Sequence, residues 1–166
     1  RLRGLGRCRL WLGNLDLQSG SDLAGFQGTF EIAGGTCQMN STSLLAVDSL
    51  ILSGGTLTGV QRIAVTGPTV WRASAIAGSP IIEARGGLYL TNNSIRSFQG
   101  GTLFNYGLAR WTNGTIASSV GSAVFSNAFG AQFEIGGPAN LSWTIGAGGS
   151  ANLINSGTVT VQTQPN

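Results

Sequence analysis

The sequence predicts an all-β chain folded as a right-handed parallel β-helix, a solenoid of about seven or eight imperfect coils. Three observations carry that expectation. Hydrophobic residues alternate in very short runs and show almost no helical spacing; Gly-Gly pairs interrupt these runs along the chain; and related phrases recur at intervals of roughly 20 to 30 residues, the period expected when each coil lays its strands on those of the coil below.

The runs come first. Leu50-Ile51-Leu52, Thr56-Leu57-Thr58, Ile63-Ala64-Val65, Leu88-Tyr89-Leu90, Phe133-Glu134-Ile135 and Val159-Thr160-Val161 are each bounded by Gly, Asn, Ser or other turn formers, which makes them strands of a few residues. Glycine pairs stand at 34–35, 54–55, 86–87, 100–101, 136–137 and 148–149. Glycine enters positive φ without a Cβ clash, so each pair can turn a sharp corner. Hairpins are disfavoured because Asn113-Gly114 is the one dipeptide matching the preferred two-residue hairpin turn.

Repetition supplies the architecture. Leu103-Phe104-Asn105-Tyr106-Gly107, Val124-Phe125-Ser126-Asn127-Ala128 and Leu153-Ile154-Asn155-Ser156-Gly157 share an apolar start, an Asn and a small turn, and their Asn residues stand 22 and 28 apart. Gly-Gly-Thr recurs at residues 34–36, 54–56 and 100–102. Two readings of Asn105, Asn127 and Asn155 stand: a stacked side-chain ladder that satisfies inward polar groups, or residues that merely mark turns. At about 22 residues per coil and about 4.8 Å between strands, the rod would be roughly 35 Å long. Residues 1–14 differ in composition and read as an N-terminal cap or adjoining segment, with the solenoid over 15–166.

Composition narrows the function. Of 166 residues, 27 are Gly, 42% are hydrophobic and 9% charged, which excludes both a disordered chain and, lacking a G-X-Y period, collagen. The net charge of +3 is concentrated at Arg1, Arg3, Arg7 and Arg9, so the body is near neutral and lacks the basic stripe that nucleic-acid binding requires. The Arg cluster reads either as a docking tip for an acidic partner or as a solvated end. No apolar run is long enough to span a membrane as a helix.

Chemistry is sparse. Histidine is absent, which removes the commonest general base and metal ligand, and two cysteines alone cannot build an ordinary zinc site; no cofactor and no metal are expected. Cys8 and Cys37 read as one disulfide or as two buried thiols. Asn40, Asn92, Asn113 and Asn140 lie in N-x-[ST] sequons and are candidate glycosylation sites of a secreted chain. The acids Asp16, Asp22, Glu31, Asp48, Glu83 and Glu134 are scattered, whereas polysaccharide hydrolysis needs two carboxylates held close, so an enzyme is not expected. Trp71, Trp111 and Trp143 read either as core residues or as a glycan-contacting row.

The stretch LILSGGTLTGVQRIAVTGPTVW over Leu50–Trp71, together with the Asn-centred phrases, resembles the degenerate repeats of large secreted parallel β-helix proteins, of the filamentous-haemagglutinin and autotransporter-adhesin style and of long algal or bacterial surface proteins. The resemblance covers about Leu50 to Gln162. It implies an extracellular or cell-surface rod, filament or adhesin that associates with itself or with neighbouring solenoid segments. A glycan-binding adhesin module is the alternative, and a polysaccharide-degrading β-helix enzyme a more distant one.

Overall fold

The computed structural model describes residues 3–21, 25–137 and 141–162. Every strand pairing among them is parallel, and the strands form three faces of one solenoid. The first face is an eight-stranded sheet of β1 (Arg7–Leu10), β3 (Thr29–Ile32), β6 (Ser49–Leu52), β9 (Thr69–Trp71), β12 (Leu88–Leu90), β15 (Leu108–Trp111), β17 (Gln132–Ile135) and β19 (Thr158–Val161). The second climbs through β2 (Asn14–Leu17), β4 (Thr36–Met39), β7 (Thr56–Gly59), β10 (Ala75–Ala77) and β13 (Ile95–Gln99). The third climbs through β5 (Leu45–Val47), β8 (Arg62–Val65), β11 (Ile81–Ala84) and β14 (Gly101–Asn105). Two long strands, β16 (Thr115–Asn127) and β18 (Ser142–Asn155), run across the second and third faces and join them. Their mutual register shifts between Ser118 and Val120, where the corner between the faces falls.

The stack amounts to about seven turns. Its period is visible in one inward column of the first face: Cys8, Phe30, Leu50, Thr69, Leu88, Ala109, Phe133 and Val159 are successive in-register partners. The coils therefore lengthen from 19 residues in the middle to 26 at the carboxyl end, as the spacing of those residues gives. Leu45, Ile63, Ile82, Leu103, Phe125 and Leu153 form the matching column of the third face. Inward positions are mostly apolar and almost wholly buried from Phe30 to Phe125, with Thr69, Arg96 and Asn105 as polar exceptions, so the core is a narrow shaft of stacked rows. Strand alternation puts the next residue of each run outside.

Glycine shapes one corner in three consecutive coils. Gly13, Gly35 and Gly55 precede β2, β4 and β7 with φ of +79°, +69° and +67°. A Cβ on Gly35 would lie 2.1 Å from the Gly13 carbonyl oxygen, and one on Gly55 would lie 2.5 Å from that of Gly35. The turns stack too closely for any side chain. Gly100-Gly101-Thr102 belongs elsewhere, at the corner between β13 and β14, so the third copy of that phrase is a likeness of wording and not of place.

Within the segment 1–14, β1 pairs with β3 over Arg7↔Thr29 to Leu10↔Ile32, so a rung of the first face runs there despite the Arg-rich composition.

Candidate functional site

The inward column at the end of each third-face strand changes character along the rod. Val47, Val65 and Ala84 occupy it in the early coils and Asn105, Asn127 and Asn155 in the later ones. Asn105 and Asn127 are fully buried. The Asn105 Nδ2 group donates to Oδ1 of Asn127 at 2.8 Å and to the Gln132 carbonyl at 2.9 Å. Asn127 repeats this one coil on, donating to Oδ1 of Asn155 at 2.7 Å and to the Thr158 carbonyl at 3.1 Å. Asn105 and Asn155 also close their own turns by donating to the Gly107 and Gly157 carbonyls, both at 3.1 Å. This is an ordered polar wire in an apolar shaft, with Asn105 and Asn127 each donating along the rod to the next Asn.

Asn155 ends the wire. It is exposed, and its Nδ2 makes only the local bond to Gly157 among the described residues. Leu153, two residues earlier, is 47% exposed, against 2% for Phe125 and 1% for Leu103 in the same column. Val161 on the first face is 66% exposed.

A second polar group lies inside the rod. Arg96 is fully buried, on the inward side of β13 beside Ile116 of the next coil. Its Nε donates to the Trp71 carbonyl at 2.7 Å, Nη1 to the Asn113 carbonyl at 2.9 Å, and Nη2 to the carbonyls of Thr91 and Asn92, the latter at 2.9 Å. Burial lowers the guanidinium to about 10, so it stays charged at neutral pH. Carbonyl dipoles from three coils do the work of a counter-ion. Asn92, at φ +79°, turns its carbonyl into this cluster, and its place in a left-handed turn accounts for the exposure of that sequon.

Three glutamates are held in ion pairs with arginines. Glu31 is buried and is bound by Arg7, by Arg9 at 3.1 Å and by Ser53 Oγ at 3.1 Å. Two members of the Arg cluster are thereby engaged in ion pairs, which removes them from a free docking tip; Arg1 lies outside the described residues. Glu83, also buried, sits between Arg62 and Arg85, the latter at 2.6 Å. Glu134 pairs with Arg110 of the preceding coil at 2.7 Å. Asp16 accepts from Gln18 at 2.9 Å, and Asp22 lies outside the described residues. Among the described residues no three His, Cys, Asp or Glu side chains converge. Two surface hollows, about 270 Å³ beside Arg110, Thr112, Glu134, Gly136 and Gln162 and about 210 Å³ beside Gln27, Ala46, Val47, Asp48 and Thr66, each hold one carboxylate.

The tryptophans do not form a binding row. Trp71 and Trp111 are 1% and 5% exposed because both fall on the inward phase of the first face, in the column with Leu52 and Leu90. Trp71 packs edge-on to Phe98 at 5.5 Å and donates to the Ser74 carbonyl, while Trp111 donates to Gly114 at 3.1 Å. Trp143 stacks on Phe98 at 6.2 Å and donates to Ser118 Oγ at 2.9 Å. The exposed aromatic groups are instead Trp11, under Arg9 at 4.2 Å, Tyr106 and Phe129.

Cys8 and Cys37 are free thiols, one in β1 and the other in β4. Burial, then the neighbouring Cys8 and Asp16, push the Cys37 thiol up to about 12, which leaves it protonated and unreactive. Asn40 and Asn113 are partly buried, and the Asn113 side chain accepts from Gly114 N–H at 2.8 Å. Asn140 lies outside the described residues.

Compared with protein-family models, curated proteins and solved structures, the chain gives no match. The buried Arg96 and the Glu83 clamp are absent from the sequence reading. Their one signal is phase: Arg96 precedes Phe98 by two residues in a strand whose Phe98 faces the core.

Proposed function

We propose that this chain is a structural rod segment, a length of β-solenoid whose task is to extend a longer assembly by stacking coil on coil against neighbouring solenoid segments. The observation that carries this reading is the continuous parallel stacking of about seven turns, with the Asn105–Asn127–Asn155 wire directed along it. A further coil would extend the same columns by pairing with β18 and β19. The reading places the rod outside the cell, as part of a filament, surface appendage or adhesin, and assigns it no catalytic step; the engagement of Glu31, Glu83 and Glu134 by arginines favours this over hydrolysis. A glycan-binding role loses its best support with the burial of Trp71 and Trp111.

Electron microscopy with fibre diffraction of the native material tests the proposal. Rods longer than a single chain, with an axial repeat of about 4.8 Å, are the expected result. Discrete single-chain particles without that repeat would refute it.

A further inference from the structure

The Asn wire has a direction, and its direction specifies what the end rung accepts. At each step the Nδ2 of one Asn crosses to the next coil and meets two acceptors there, the Oδ1 of that coil's Asn and a first-face carbonyl, Gln132 after Asn105 and Thr158 after Asn127. Asn155 presents the same Nδ2, in the same column and with the same local bond to its own turn, but with neither crossing bond among the described residues. The neighbouring Leu153 demands an apolar partner two residues before the acceptor, as Leu103, Phe125 and Leu153 precede their own Asn residues.

We infer that the end rung at Asn155 selects a β-coil carrying an apolar residue, any residue and then Asn, and discriminates against coils with an aliphatic side chain at the Asn position. This deepens the rod reading and rests on it for the kind of occupant. The physical basis is the crossing bond between side chains. Covering Asn155 with a coil that offers no side-chain oxygen leaves its Nδ2 only backbone carbonyls and forfeits the bond to Oδ1, whereas an Asn restores that bond and passes an identical donor onward. Earlier in the same column stand Val47, Val65 and Ala84, so an aliphatic residue at this position is what the early coils stack on one another and Asn what the late coils stack.

The test uses a chain in which residues 136–161 are repeated once after Val161, and a second such chain with Asn155→Leu in the repeat alone. With Asn in the repeat, hydrogen exchange of the original Asn155 side-chain amide slows by about tenfold or more and the melting temperature exceeds that of the Leu version. If both repeats dock and melt alike, or the Leu version is the more stable, the selectivity is refuted while coil stacking stands. If neither repeat protects Asn155 or raises the melting temperature above that of the unmodified chain, coil addition at this end fails as well.

Discussion

The Nε–H of Arg96 donates to the carbonyl oxygen of Trp71 across 2.7 Å, binding a cation in one coil to the backbone of the coil beneath it. Its remaining nitrogens hold Thr91, Asn92 and Asn113, so one side chain ties together turns of three successive coils. Replacing it removes every donor at once and leaves these carbonyls facing an apolar shaft. Arg96→Met is expected to cost about 3–5 kcal/mol in urea unfolding. Arg96→Lys recovers only part of this, because an ammonium has three donors and no planar fork. Equal stability of the Met variant and the parent would show the cluster to be dispensable.

Trp71 separates a binding residue from a core residue in one measurement. It is almost wholly buried, packs against Phe98 and donates to Ser74. Trp71→Ala is expected to lower stability by about 3–5 kcal/mol, and Trp71→Phe by less, since the ring contact survives. A sugar-binding signal lost in Trp71→Ala without loss of folding would contradict this placement.

How these residues divide between legible and hidden follows from strand geometry. The solenoid was legible because corner glycines and short apolar runs repeat at coil length, and Gly35 and Gly55 stand on one corner as their shared phrase implies. Phase was harder to read. A shift of one residue exchanges the two sides of a strand, and Thr69-Val70-Trp71 carries no strong alternation, so the sequence left Trp71 open between core and surface. Arg96 was hidden for a different reason. Arg is almost never fully buried unless paired, and its partners here are backbone carbonyls, which every residue has and no sequence distinguishes. At the N-terminus composition reports the more exposed residues of β1, Arg7 and Arg9, while Cys8 and Leu10, which alternate with them, turn toward the core.

Glu83 gives the rod a predictable acid sensitivity. Burial by itself pushes its carboxyl up, but the hydrogen bonds and charges of Arg85 and Arg62 outweigh burial and hold it below the usual value of 4.5. A carboxyl held low in the folded chain contributes stability that is complete above the unfolded value, and that contribution disappears as pH falls through the lower folded value. Urea midpoints should therefore be flat near neutrality and drop below about pH 4.5. Glu83→Gln is expected to cost about 1–2 kcal/mol at pH 7, a modest figure because both arginines are half exposed and remain hydrated. The variant should also flatten the acid limb; a parallel shift of the whole curve would assign that limb to other groups.

Gly55 tests whether the stacked corners set the coil spacing. Its φ of +67° disfavours any Cβ, and the Cβ of an alanine there would meet the Gly35 carbonyl oxygen at 2.5 Å and the Gly34 carbonyl carbon at 2.7 Å. Backbone cannot swing aside as a flexible side chain does, so the coils would have to part locally. Left-handed strain of about 1–2 kcal/mol and overpacking of about 1–3 kcal/mol act together, and Gly55→Ala is expected to destabilise by about 2–5 kcal/mol. Gly130→Ala is the internal control. Gly130 has a similar φ of +78° but nothing within 4 Å of its Cβ position, so it should show the strain without the clash and lose only about 1–2 kcal/mol. If the two variants lose the same stability, conformational strain alone governs these corners, and contact between successive turns does not limit how closely the coils approach.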